Sequence, residues 1–391
     1  TERGTCLQTI REPQAIIKAH EGLRGLAACG VALFHASTID AIAPGLAQIS
    51  LIHNAWIGVD LFFVLSGFVM FLRYGGQLQA PGEASAFVIR RVGRLYPLHL
   101  ATLIFFLGVW FLMQAVKWVL LANFDLTVGH QPMFDPAQVN SHDLLLNLLL
   151  LHGVGLHWTD ALNYPSWTVS LEMWTYMVFL LVCLVASRPF MRVLVFASLG
   201  AASFGWFVHQ SVTIDDFVVV FQAERSFMRI LMSFSIGVLA ALWHQRRPPN
   251  NSGVGATQAL ALGAVIIYLL VLERSGQWLL LGPVLFGFLV LTISSDEGWL
   301  ARGLSGRTMG WLGERSYSIY LVHATLLMAF SALARLMPGP LQWGCFVAYL
   351  IAVLWMAQVL YTTIEVPWRA RFRDLAASRS QPSDRTSGTR A

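Results

Sequence analysis

Charge is what this sequence has least of. Only 12% of its 391 residues are Asp, Glu, Lys or Arg, about half the ~25% usual in a soluble domain. A soluble helical enzyme with 56% hydrophobic residues would expose far too much apolar surface, so that class is set aside. Cysteine is also sparse. Cys6, Cys29, Cys183 and Cys345 lie far apart, with neither metal-ligand spacing nor a disulfide framework, and no metal is expected. No internal repeat and no pair of Gly/Pro-interrupted helices appears, as inverted-repeat transporters would show. The first twenty residues lack a cleavable apolar run, so no signal peptide is expected and the first span serves as its own insertion signal. The net charge of +5 does not indicate nucleic acid. No basic helix with interleaved aromatics stands outside the apolar stretches, and the basic residues sit at their edges.

What is present is a series of long apolar blocks, roughly 23–43, 54–72, 98–119, 144–156, 167–186, 190–209, 227–243, 256–272, 278–293, 317–336 and 341–363. Blocks of ~17–25 residues match a hydrocarbon core of ~30 Å. Lys/Arg-rich loops should share the cytoplasmic face. They do so if 144–156, the shortest block, fails to cross. The expected architecture is therefore all-α and integral to the membrane, with ten spanning helices and both termini cytoplasmic. Segment 144–156 becomes a re-entrant or buried piece on the outer face with loop 120–143. Residues 83–96 are basic and amphipathic and read as a cytoplasmic interfacial helix ended before Pro97. The expected divisions are a cytoplasmic N-terminal segment 1–22, a membrane domain 23–368, and a basic, disordered cytoplasmic tail 369–391.

Ionisable groups at membrane depth are costly and mark function by default. His35 lies inside the first block and Arg24 opens it. Eleven residues, about three turns, put both on one face, ~16 Å apart along the axis. Asp60, on the second block, and Glu172, on the 167–186 block, start from the outer side at about the depth of His35. Either carboxylate could orient the imidazole as a general base, or simply tie helices together. Arg90, Arg91 and Arg94 cluster near the mouth where Arg24 sits. Arginine pairs well with phosphate oxygens, though such residues also satisfy topology and anionic lipid. His323 either lines the same entrance or is a satisfied core histidine. Arg225 and Arg229 share a face at the outer start of block 227–243. They suit an anionic or sugar substrate, or snorkel to head groups. His99, His152, His157 and His209 sit at block boundaries, where no catalytic role is expected.

The motifs in order resemble those of the membrane-bound acyltransferase family 3. Arg24-Gly25-Leu26 followed by Phe34-His35 is similar to its Arg-x10-His signature. Gly58-Val59-Asp60-Leu61-Phe62-Phe63-Val64-Leu65-Ser66-Gly67-Phe68 is similar to its second-helix motif, and Arg91-x-x-Arg94 with Tyr96-Pro97 to its Arg-x-x-Arg element. Ser166-Trp167-Thr168-Val169-Ser170-Leu171-Glu172, Ser316-Tyr317-Ser318-Ile319-Tyr320-Leu321-Val322-His323 and Glu365-x-Pro367 complete the set. The resemblance covers roughly residues 20–370. Trp167-Thr168 departs from a frequent Trp-Ser, and Leu171-Glu172 from a frequent Glu-Glu. The nearest likeness is to bacterial enzymes that acylate exopolysaccharide, O-antigen or Nod-factor sugars.

The resemblance implies a transferase of the bacterial cytoplasmic membrane. It would take an acyl group, acetyl above all, from cytoplasmic acyl-CoA to a hydroxyl of a glycan or lipid-linked sugar. His35 would be the base, with Asp60 or Glu172 as its partner. Arg24, Arg91, Arg94 and His323 would hold the donor, and Arg225, Arg229 and Ser66 would contact the acceptor. Two competing readings are a proton-coupled secondary transporter using His35, Asp60 and Glu172 as a relay, and a non-catalytic subunit of a polysaccharide assembly complex.

Overall fold

In the bilayer a segment must satisfy its own backbone hydrogen bonds, which leaves the helix as the fate of each apolar block. The computed structural model describes residues 17–123, 141–155, 162–213, 226–246, 253–272 and 277–380, and they contain helices and turns but no strand. In chain order the helices are α1 (Lys18–Ser37), α2 (Ser50–His53), α3 (Gly58–Tyr74), α4 (Glu83–Asn123), α5 (Ser141–Leu148), α6 (Ser166–Val185), α7 (Pro189–Thr213) and α8 (Ser226–Arg246). There follow α9 (Val254–Val271), α10 (Leu281–Thr292), α11 (Gly298–Leu304), α12 (Arg307–Glu314), α13 (Ser316–Ala334), α14 (Gly339–Leu360) and α15 (Val366–Ser380). Among the described residues, eight helical stretches are long and apolar enough to cross a membrane. α1 is not one of them because Lys18, Glu21 and Arg24 charge its first two turns. The stretch Trp278–Thr292 is apolar but short.

Several local expectations change. α1 stops at Ser37, so His35 occupies its last turn and not the interior of a 23–43 block. Residues 83–96 do not form a separate helix ended before Pro97. α4 runs unbroken through Pro97 for 41 residues. Proline there removes one hydrogen bond, to the Gly93 carbonyl, and packing on both flanks holds the helix straight through. Tyr317 donates to the Leu95 carbonyl at 2.9 Å, and Phe372 of α15 lies directly over Gly93. The expected disordered tail is therefore ordered over 369–380, as α15 laid against α4; residues 381–391 lie outside the described residues.

Of segment 144–156, residues 144–155 are described; they form the end of α5 and a series of turns, too short to cross. Its turns fold onto the start of α6. The Gly153 N–H donates to Ser170 Oγ at 3.1 Å, while Ser170 Oγ and Trp174 Nε1 both donate to the Leu150 carbonyl, at 2.6 and 2.9 Å. Irregular backbone is thus buried in protein, where its polar groups find partners.

Among the described residues, the most extensive helix pairing is α3 with α8. A side chain at Gly67 would strike the Phe234 carbonyl, and one at Gly237 the Val64 carbonyl. Small residues let the two backbones touch, which is how helices gain packing in lipid. α1 approaches α12 in the same way, with Gly25 against Leu312–Gly313, and this fixes the direction of Arg24. We predict that Gly237→Leu separates α3 from α8 and abolishes recovery of monodisperse protein in detergent. Gly263→Leu, at a position with open space around it, leaves the elution profile unchanged.

Candidate active site

Five helices converge on one narrow cavity. α1 contributes Arg24; α3 contributes Val59, Phe62, Phe63 and Ser66; α4 contributes Arg94. α6 adds Thr168, Val169 and Glu172, and α13 adds Ser316, Tyr317 and Tyr320. The charged residues are Arg24, Arg94 and Glu172. Arg24 is held by Glu21 at 2.8 Å. Ser66 Oγ donates to Tyr176 Oη at 3.0 Å, and Tyr176 donates a short hydrogen bond to Glu172. Arg94 has a buried Nε with no hydrogen-bond partner. An unpartnered guanidinium nitrogen beside a cavity fits an anionic guest.

His35 stands next to this cavity but does not line it. Its ring meets His323, not a carboxylate. His35 Nδ1 lies 3.1 Å from His323 Nε2 and 3.0 Å from the Val31 carbonyl, one turn back on α1. His323 Nδ1 lies 2.6 Å from the Tyr320 carbonyl. Both histidines are buried, at 8% and 0% exposure. Tyr164 packs edge-on to His35, with centroids 5.6 Å apart. Tyr320 joins the two regions: its side chain lines the cavity against Phe62, and its ring packs on His323 at 5.8 Å.

The remaining site candidates separate. Asp60, expected as a possible partner of His35, is instead clasped by Arg229, whose Nε donates to both carboxylate oxygens at 3.1 and 2.9 Å and whose Nη2 makes a short contact with Oδ2. Ser233 Oγ, one turn along from Arg229, donates to Asp60 Oδ1 at 2.7 Å. Asp60 and Arg229 are 0% and 1% exposed. Arg229, expected at the acceptor site, is therefore committed to an internal ion pair; Arg225 lies outside the described residues. Glu172 lines the cavity but faces Tyr176 rather than His35. Arg91 is not at the cavity. It is enclosed by the rings of Tyr74, Phe87 and Tyr176, 5.4–5.7 Å from each centroid. Its Nη2 donates to Tyr74 Oη at 3.1 Å, while Nε and Nη1 are buried without partners. His99 and His152 stack on each other at 6.0 Å away from the cavity.

Sequence reasoning passed over several participants. Tyr176 sits four residues from Glu172 and Ser233 four from Arg229, spacings that place each pair on one helix face. Glu365, quoted above only as part of the closing motif, lies in a π-helical turn, Tyr361–Glu365, and is buried. There it accepts from Ser318 Oγ at 2.8 Å and pairs with Arg369 at 2.8 Å.

The fold and the site together define a membrane protein with a buried histidine beside an arginine-marked cavity. Residues 17–362 match the acyltransferase-3 family, described as an acyltransferase domain, and the chain belongs to that family. It is 27% identical over 350 residues to a protein of Komagataeibacter xylinus named as a membrane-bound transacylase, BcsY, covering 85% of this chain and 80% of that one. It is 24% identical over 379 residues to YrhL of Bacillus subtilis, covering 90% of this chain, and 23% identical over 389 residues to OatA of Listeria monocytogenes, covering 93%. Both carry the name peptidoglycan O-acetyltransferase, and the chain spans only 54% and 57% of their lengths. No solved structure matches it.

The ion pair yields a direct stability test. Removing one partner of a buried pair leaves an uncompensated charge, at a cost of ~3–5 kcal/mol. Arg229→Met should therefore lower the melting temperature in detergent sharply. Adding Asp60→Leu to the same chain should recover much of the loss, measured by thermal shift on the purified proteins.

Proposed function

We propose that this protein is a transmembrane O-acyltransferase that moves an acyl group, acetyl above all, from acyl-CoA to a hydroxyl of a glycan or lipid-linked sugar. The single observation that carries the reading is the arrangement along α1. Arg24 stands at the cavity, and His35 lies eleven residues, ~16 Å, further along the same helix. A pantetheine arm is about that long. The anionic end of the donor would meet Arg24 and Arg94, while the thioester reaches His35. The unpartnered Nε of Arg94 suits phosphate oxygens. Arg91, encased in aromatic rings, supports Tyr176 and through it Glu172.

His35 acts as general base. Its Nε2 makes no hydrogen bond among the described residues and takes the proton of the acceptor hydroxyl. The hydroxyl oxygen attacks the thioester carbonyl, the C–O bond forms and the C–S bond breaks. The CoA thiolate then takes the proton back from His35, so no net charge is left in the site. Tyr320 stands between the cavity and the histidines, and its ring has to turn aside for the acyl group to pass. In this reading α1 and Trp278–Thr292 also cross the membrane, making ten spans, with both termini and the donor on the cytoplasmic side and the acceptor on the other. The relatives named as O-acetyltransferases and as a transacylase support the reaction class.

The test is acyl transfer, or acyl-CoA hydrolysis, by purified protein in nanodiscs supplied with radiolabelled acetyl-CoA. Positioned proton transfer contributes ~10²–10⁴-fold, so His35→Ala should lose at least a hundredfold in kcat. Arg94→Ala should raise the KM for acetyl-CoA several-fold while sparing much of kcat. A folded His35→Ala protein with full activity would end the proposal.

A further inference from the structure

We infer that His323 is the positioning residue of His35, an imidazole in the place where a carboxylate orienter is usual. The inference rests on the reading of His35 as general base. A carbonyl oxygen can only accept, so His323 Nδ1, 2.6 Å from the Tyr320 carbonyl, carries a hydrogen. The neutral ring then presents a lone pair at Nε2, and that atom lies 3.1 Å from His35 Nδ1. The Val31 carbonyl, 3.0 Å from the same Nδ1, is a second acceptor. Two acceptors converge on one nitrogen, so His35 Nδ1 holds the hydrogen and shares it between them. The lone pair of His35 is left at Nε2, the atom a general base needs. The opposite tautomer would bring three lone pairs together in a buried space, with no hydrogen among them.

The carboxylates of the neighbouring helices are engaged elsewhere. Asp60 is bound by Arg229 and Ser233, Glu172 by Tyr176, and Glu365 by Ser318 and Arg369. Among the described residues, the groups that face His35 are Val31, Phe34, Tyr164 and His323, of which Tyr164 and His323 titrate. His323 in turn faces Tyr320. Orientation here therefore depends on a neutral chain: Tyr320 carbonyl, His323, His35. When His35 Nε2 takes the acceptor's proton, its Nδ1 hydrogen can move to His323 Nε2. That leaves His35 neutral and His323 donating from both nitrogens. The abstracted charge is thereby spread over two rings without an anion, and the proton returns by the same route to the departing thiolate.

The experiment compares His323→Leu, His323→Gln and His323→Glu with the native protein in nanodiscs, using acetyl-CoA as donor. Leu offers no acceptor to His35 Nδ1; Gln offers its Oε1 near the same place. The expected result is a ten- to hundredfold fall in kcat for His323→Leu, with the KM for acetyl-CoA unchanged, and recovery of most of that loss in His323→Gln. His323→Glu restores an acceptor that is also an anion. It favours protonated His35, so the acid limb of its rate–pH profile should move to higher pH. Native kcat and an unmoved pH profile in all three, with His35→Ala inactive, would overturn the inference while leaving the base assignment intact. An active His35→Ala would instead overturn the base assignment itself. Should the variants not fold, solid-state ¹⁵N NMR of histidine-labelled native protein decides the matter. The His35 signals, assigned by their loss in His35→Ala, must show hydrogen on Nδ1; hydrogen on Nε2 rules the arrangement out.

Discussion

A polar group in hydrocarbon must find its partner inside the protein, because no solvent is there to supply one. This constraint accounts for most of what positions the candidate site. Asp60 and Arg229 answer one another at the starts of α3 and α8, and the glycine contacts at Gly67 and Gly237 let the two helices come close enough to do so. With α3 fixed in this way, Ser66 reaches Tyr176 and the chain continues to Glu172 at the cavity wall. On the other side of the cavity, α1 is pinned at its start to α12 and at its end by His323. Each polar contact orients a helix whose outer surface, facing lipid, carries no orienting information of its own.

That last point explains what could be read from the residues alone. Block 167–186 became Ser166–Val185 and block 227–243 became Ser226–Arg246, because an apolar run of that length has one stable form in a bilayer. Spacing also put His35, Asp60 and Glu172 at about one depth, an expectation that leaves their contacts open. Which of them touch depends on how each helix is rotated and which helices are neighbours. A helix that is apolar all round does not record its rotation in its pattern. Asp60 thus found Arg229, 169 residues away in the chain, and His35 found His323, 288 residues away. One clue was available: Asp60 and Arg229 both lie in the first turn of helices entering from the same side.

The departures at the basic run 83–96 and at the tail have a different origin. The basic run 83–96 and the basic tail each look like lone surface segments, since neither could bury enough apolar area by itself. Together they can. Gly93 opens a groove on α4 that Phe372 fills, and the π-helical turn at Tyr361–Glu365 joins α14 to α15, which lies along α4. Mutual cover takes the place of the expected break before Pro97 and of the expected disorder over 369–380. It also places α15 directly behind the helix that carries Arg94.

The buried ion pair has a consequence for biogenesis. Ribosomes deliver α3 to the membrane 169 residues before Arg229 emerges. Until α8 arrives, Asp60 lacks the counter-ion it has in the finished fold, and α3 is poorly suited to release into lipid on its own. Insertion of this chain is therefore not a simple sequence of independent hairpins. The early helices have to wait beside the translocon, or in the care of an insertase, for a partner made much later. The first half of the protein reaches its final arrangement only once the second half has been synthesised.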